Sequence, residues 1–223
     1  MYKQKFGKYI LTLLKIILLL PLAFIIQFPA GSEFLYSNET KYNINLVNHL
    51  VVLIFGILIA FFSVFYVYRK VNGAAIRLFS FKLKWIIFTI IVIIGALLIE
   101  ILINLLSKNS AATTNYLISI SIGFPLQPFF LIENVIVGPI LEEFLFRGIL
   151  QNGILKDTPA WIKIPITAFL FAFMHEGIIN WKLMEWFTLG LGLGYIYYKS
   201  NDLKMSIFGH MLSNALIIII DIC

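Results

Sequence analysis

Six or seven apolar runs, near residues 9–28, 48–68, 85–106, 129–150, 161–176, 183–198 and 203–222, leave this chain few folds to choose from. Each approaches the roughly 20 apolar residues that carry a helix across the ~30 Å hydrocarbon core of a bilayer. No water is available at that depth to satisfy a backbone amide, so such runs fold as helices that close their own hydrogen bonds. Composition agrees, with 61% of residues apolar and 13% charged, where a soluble domain has roughly 45–50% and 25%. The expected fold class is all-α, a polytopic membrane helical bundle of about seven transmembrane helices forming one integral membrane domain over 1–223.

Between the runs the chain is short of soluble structure. Pro29 to Leu46 reads as the longest polar loop, with turn residues at its start. Gly123, Pro125 and Pro128 interrupt the chain before the fourth run, where "YLISISIGF" reads as a re-entrant or interfacial piece. The first run admits two readings. Lys3, Lys5 and Lys8 precede it and Pro29-Ala30-Gly31 follows it, as in a cleaved signal peptide. Its core is longer than the usual signal segment and contains Lys15, which favours an uncleaved helix whose lysine snorkels to the headgroups.

Basic residues orient the bundle. With the N-terminus cytoplasmic, 12 Lys and Arg fall in inner segments (Lys3, Lys5, Lys8, Arg69, Lys70, Arg77, Lys82, Lys84, Lys156, Lys163, Lys199 and Lys204). Three (Lys41, Lys108 and Lys182) fall outside. This is the positive-inside pattern, and it places the C-terminus outside. It also accounts for the net charge of +6 as topology anchors beside membrane lipid. No block of like charges supports nucleic-acid binding. Cys223 is the only cysteine, so no intrachain disulfide forms, and as the terminal residue it makes no prenylation box.

Against this background the ionisable residues inside the runs need a reason, since each costs about 2.5–3.5 kcal/mol at the centre of a spanning helix. "GPILEEFLFRGIL", Gly138 to Leu150, carries Glu142, Glu143 and Arg147. Glu143 and Arg147 are one helical turn apart and can pair. Glu142 points about 100° away from that pair and is left for another neighbour. Pro139 is expected to kink the helix just before them. His175 ends "FLFAFMH" and reads either as an interfacial residue or as a site residue. The adjacent Glu176 does not make a zinc-protease HExxH signature, because position 179 is Ile. His210 and Asn214 share a helix face in "GHMLSNAL", and can serve a site or bond a neighbouring helix.

Depth separates these residues from incidental polar groups. At 1.5 Å per residue, Glu142 lies about 12 Å in from Leu150, His175 about 18 Å in from Lys163 and His210 about 9 Å in from Lys204. Polar groups from three helices thus approach one plane. Glu100 and Glu133 are expected near outer helix ends, where snorkelling makes them cheap, and His49 at the outer mouth of the second helix.

"EEFLFR", "FAFMH" and "HMLSN" fit EExxxR, FxxxH and HxxxN in order on successive helices. With these motifs the chain resembles the CPBP family of intramembrane proteases, also called the Abi or CAAX-protease family, over roughly 135–216. The resemblance implies a catalytic core there: Glu142 activating water with help from His175, His210 and Asn214 steadying the tetrahedral oxyanion, and Glu143 with Arg147 as a supporting ion pair. The substrate it implies is a hydrophobic or membrane-anchored peptide or protein. The sequence departs from the eukaryotic prenyl-protease pattern in length, since little follows Asn214 and an eighth helix is not expected.

The family has been described both as metal-dependent and as metal-free. A metal-free reaction is favoured, because peptide hydrolysis needs a base beside a water and donors where negative charge develops. In a zinc-dependent CAAX prenyl endopeptidase the ligands would be Glu142, His175 and His210, with water fourth. Two other readings stand beside proteolysis: a non-catalytic membrane scaffold or bacteriocin-immunity protein, and a small transporter, which would show internal symmetry that the chain lacks. Abundant Ile, Lys and Asn hint at an AT-rich bacterial genome, and so at a bacterial plasma membrane.

Overall fold

The computed structural model of the chain describes residues 2–39, 46–73, 82–107 and 127–222. Among them every regular element is helical. Helix α1 spans Tyr2–Ile17, α2 Leu20–Glu39, α3 Leu46–Asn72 and α4 Leu83–Ser107. A composite helix, α5, follows without a break: α over Gln127–Ile132, π over Glu133–Val137, α over Gly138–Glu143 and π over Phe144–Ile154. Helix α6 is Ala160–Glu176, α7 Trp181–Ser200 and α8 Leu203–Ile222. The seven apolar runs therefore each find a helical column, and the chain is a polytopic helical membrane bundle. Four stretches are long and apolar enough to cross a membrane by length and composition alone: Ile10–Pro29, Leu50–Asn72, Leu83–Ser107 and Leu203–Ile220. The columns α5, α6 and α7 are shorter or carry more polar residues. The "YLISISIGF" stretch, Cys223, Lys41, Lys108 and most of the basic loop after Lys70 lie outside the described residues.

Prolines decide where the columns bend. The first run is not one straight helix. Pro21 has no N–H and its ring crowds the carbonyl of Ile17, so α1 ends there and Leu19 N–H closes a tight turn on Ile16 at 3.0 Å. The expected loop from Pro29 is also corrected, because α2 continues through Pro29 to Glu39. A proline is tolerated inside a membrane helix where neighbouring groups re-satisfy the backbone, and Ala, Glu, Phe and Leu beyond it are adequate helix formers. At Pro139 the expected kink takes a particular form. The preceding turn widens to π, and Gly138 N–H reaches back to the Glu133 carbonyl.

Glycines set how closely the columns pack. Helices α6 and α7 form the most extensive pair in the bundle. A Cβ on Gly190 would stand 2.9 Å from Ala168 Cα, so only glycine permits this crossing. A Cβ on Gly148 would stand 2.7 Å from the Tyr68 ring, which lets α3 lie against α5. The contact is sealed by Asn72, whose Nδ2 donates to the Gly148 carbonyl at 3.0 Å and whose Oδ1 accepts from Asn152 at 2.9 Å. The core between these helices holds Leu141, Ile149, Phe171, Leu193, Ile196 and Met205, with α3 and α4 adding Val64 and Ile93.

Candidate active site

Three columns bring their polar groups to one place. Glu142 and Glu143 lie at the centre of α5, where the wide turn before Pro139 and the π winding from Phe144 leave a single short α segment. π segments inside helices recur at functional sites. His175 stands in the last turn of α6, just before Gly177, whose φ of 70° ends the helix in the left-handed region that suits glycine. His210 is carried by the first half of α8 and is 1% exposed.

Glu142 Oε2 is the focus. It lies 3.5 Å from His175 Nε2 and 3.8 Å from His210 Nε2. The other nitrogen of each ring is committed. His175 Nδ1 is 2.9 Å from the Phe171 carbonyl, and a carbonyl only accepts, so Nδ1 carries the proton. His210 Nδ1 is 3.1 Å from Glu143 Oε1 and donates to that carboxylate. In the neutral rings both Nε2 lone pairs therefore face Glu142. One carboxylate oxygen and two imidazole nitrogens converge where a proton or a water can be passed among them.

Below this focus the buried groups form a ladder. Arg147 pairs with Glu143 Oε1 at 2.9 Å, both side chains wholly buried. Arg147 also donates from its second terminal nitrogen to the Gly190 carbonyl at 3.0 Å, and its guanidinium lies 5.0 Å over the Phe171 ring. Four residues on, Gln151 Nε2 donates to the Gly194 carbonyl at 3.0 Å. A π turn is longer than 3.6 residues, so Glu143, Arg147 and Gln151 stay almost in line. The two lower ones match two carbonyls one turn apart on α7. Glu143 thus does more than balance Arg147: one of its oxygens also fixes the orientation of His210.

The sequence reading and the structure differ at several positions. Glu142, Glu143, Arg147, His175 and His210 are brought together. Asn214 is one turn further along α8, and its Nδ2 donates to the Asn134 carbonyl in the π turn of α5 at 2.9 Å. That bond uses one of the two amide hydrogens. Glu133 is not a snorkelling residue. It is 2% exposed, because the π turn rotates it into the bundle. Glu100 is half-buried.

The sequence reading passed over three contributors, Trp186, Gln151 and Glu185. Trp186 of α7 stacks on the His175 ring, with centroids 4.3 Å apart and planes 24° apart. Phe171, which opens the FxxxH motif, lies against both imidazoles. Gln151 forms the lower rung. Glu185, on α7, is 8% exposed. The glycine repeat "GLGLG" facing an arginine and a glutamine was the available signal for the ladder; nothing in the sequence pointed to Trp186.

The donor set of Glu142, His175 and His210 matches zinc in kind, but among the described residues no group of three His, Cys, Asp or Glu side chains is placed to hold a metal ion.

Residues 124–216 match the family described as Type II CAAX prenyl endopeptidase Rce1-like. The resemblance read from the three motifs is thus borne out over that part of the chain. Among curated proteins, the candidate membrane peptidase YdiL of Bacillus subtilis is 26% identical over 95 residues, which is 43% of this chain and 38% of YdiL. The UPF0177 protein YaiF of Lactococcus lactis subsp. lactis is 30% identical over 84 residues, 38% of this chain and 37% of YaiF. The matched stretch therefore spans less than two fifths of either relative. No solved structure matches the chain.

Proposed function

We propose that the protein is an intramembrane endopeptidase that hydrolyses peptide bonds in hydrophobic or membrane-anchored peptides. The observation that carries this reading is the convergence of two imidazole Nε2 atoms on Glu142 Oε2, at 3.5 and 3.8 Å. A membrane bundle gains nothing in lipid-facing stability from such a cluster, whereas water activation needs it. The match to a prenyl endopeptidase family and the name of YdiL favour proteolysis over a scaffold or a transporter.

In the proposed reaction Glu142 takes a proton from a water held beside the substrate carbonyl. The hydroxide adds to the carbonyl carbon, and the carbonyl oxygen becomes an oxyanion. His175, with its Nδ1–H held on Phe171, exchanges the proton with Glu142 through Nε2. When the C–N bond breaks, that proton passes to the leaving amine, and Glu142 returns to a carboxylate. His210 Nε2 faces the same space. When it carries a proton it can donate to the oxyanion while Glu143 balances the charge at Nδ1, the role an orienting carboxylate plays toward an imidazole. Asn214 retains a second amide hydrogen for the same oxygen.

Metal-free hydrolysis is the form we favour, and it has a separate test. Purified protein cleaving a quenched fluorescent apolar peptide should stay active after prolonged chelation and contain less than one zinc per chain. Zinc lost together with activity in His210→Ala, and wild-type activity restored by added zinc, would establish the metal-dependent alternative. For proteolysis itself, Glu142→Gln should abolish cleavage of the same peptide in reconstituted vesicles. Full cleavage by that variant would remove Glu142 from the reaction.

A further inference from the structure

We infer that Trp186 is a positioning residue for His175, clamping the imidazole from α7 so that its Nε2 stays aimed at Glu142. This rests on the protease reading and adds to it a group that neither the motifs nor the family match assigns.

The need for a clamp follows from where His175 sits. It occupies the last turn of α6, with Gly177 ending the helix two residues later. Last turns fray, and their residues lose the support of a following turn. Within its own helix the ring has one polar anchor, Nδ1 on the Phe171 carbonyl at 2.9 Å. That bond fixes one atom and leaves the ring free to swing about it. The ring of Phe171 lies 4.5 Å away and tilted by 46°, touching the imidazole without lying flat on it.

Trp186 supplies the missing constraint. Its indole lies nearly parallel to the imidazole, 4.3 Å between centroids and 24° between planes. It also meets Phe171 edge-on at 6.3 Å. Trp186 is itself placed firmly. Asn180 caps α7 by accepting from Leu183 N–H at 2.9 Å, and the close crossing at Gly190 fixes α7 against α6 one turn below Trp186. An indole face over an imidazole removes the out-of-plane motion, covers one side of the ring from water, and attracts the ring more strongly when it becomes cationic during proton transfer. Three constraints then hold His175: the carbonyl at Nδ1, the tilted Phe171 ring and the indole stack. Nε2 is the one polar atom left to act.

The test uses full-length protein in vesicles, the quenched apolar peptide, and carbethoxylation of histidines read by mass spectrometry, which needs no activity. Trp186→Leu should lower kcat about tenfold with KM within about twofold, and Trp186→Phe, which keeps an aromatic face, should lose about threefold or less. His175 should react several times faster with the reagent in Trp186→Leu than in wild type or Trp186→Phe, while His210 is unchanged. If both histidines become equally more reactive and the two variants lose the same activity, Trp186 only packs α6 against α7 and the inference is overturned. It is overturned equally if kcat and His175 reactivity do not move. Wild-type protein with no Glu142-dependent cleavage, whatever the labelling shows, sinks the protease reading and with it the catalytic purpose assigned to the clamp.

Discussion

The bundle has two unlike halves. Among the described residues, the buried charged side chains Glu133, Glu143, Arg147 and Glu185 all lie on α5 and α7, and buried His210 lies on α8. The N-terminal helices α1 to α4 contribute one buried polar group to that set, Thr89. Mean hydropathy follows the same division, at 2.9 and 3.1 for the spans in α3 and α4 against 1.6 for that in α8. Helices α3 and α4 present Ile54, Phe55, Ile59, Ile91, Leu98 and Leu102 outward, as lipid-facing residues do. The difference teaches which interactions specify each half. An apolar helix in lipid gains little by choosing one apolar neighbour over another, so α1 to α4 depend mainly on shape, with Asn72 of α3 adding a polar tie to Gly148 and Asn152. The other half is held by pairings that each have one solution: Glu143 to Arg147 and His210, Arg147 to Gly190, Gln151 to Gly194, Asn214 to Asn134.

That contrast predicts unequal responses to mutation. The largest should come from Glu143→Gln. It strands the wholly buried Arg147 and frees His210, and breaking such a pair costs about 3–5 kcal/mol. Denaturation in detergent should show it, and a loss below about 1 kcal/mol would mean that the pair is accessible to water. Gly190→Val comes next. The added carbon would press on the Ala168 backbone, 2.9 Å from its Cα, and overpacking costs about 1–3 kcal/mol. Gln151→Leu should cost about 0.5–1.5 kcal/mol, for one hydrogen bond to Gly194. Leu58→Ala, on the outward face of α3, should change stability by less than about 0.5 kcal/mol. Equal losses for Leu58→Ala and Gln151→Leu would erase the distinction between the halves.

Topology can be tested separately. In a Cys223→Ser background, a cysteine replacing Ile179 in the α6–α7 turn should label with an impermeant thiol reagent on intact cells. One replacing Asn201 between α7 and α8 should label only after the membrane is opened. The reverse pattern would invert the orientation drawn from the basic residues.

What the sequence revealed and what it concealed divide along the same line. Apolar runs located all seven columns, because crossing a bilayer is a local property of 20 or so residues. The spacing of Glu143 and Arg147 announced their pairing for the same reason: one helical turn is local. Rotation between helices is not local. That Glu142 faces two imidazoles, that Glu143 also holds His210, and that Trp186 covers His175 depend on how α5, α6, α7 and α8 turn toward one another. The π windings were hidden as well. Pro139 signalled a disturbance, but the chain absorbed it by widening a turn, and that same turn rotated Glu133 inward and offered the Asn134 carbonyl to Asn214. Pro29 misled in the other direction, since a proline and a glycine read as a loop stand inside a helix.

The proposed chemistry turns on Glu142 as the group that activates water. The direct measurement is the cleavage rate of the quenched apolar peptide by wild type and Glu142→Gln in identical vesicles, alongside the thermal stability of each. If Glu142 is the base, the rate should be lower by about 10²–10⁴ in the variant, the range lost with a general base, at an unchanged melting temperature. Equal rates for the two proteins would contradict that role.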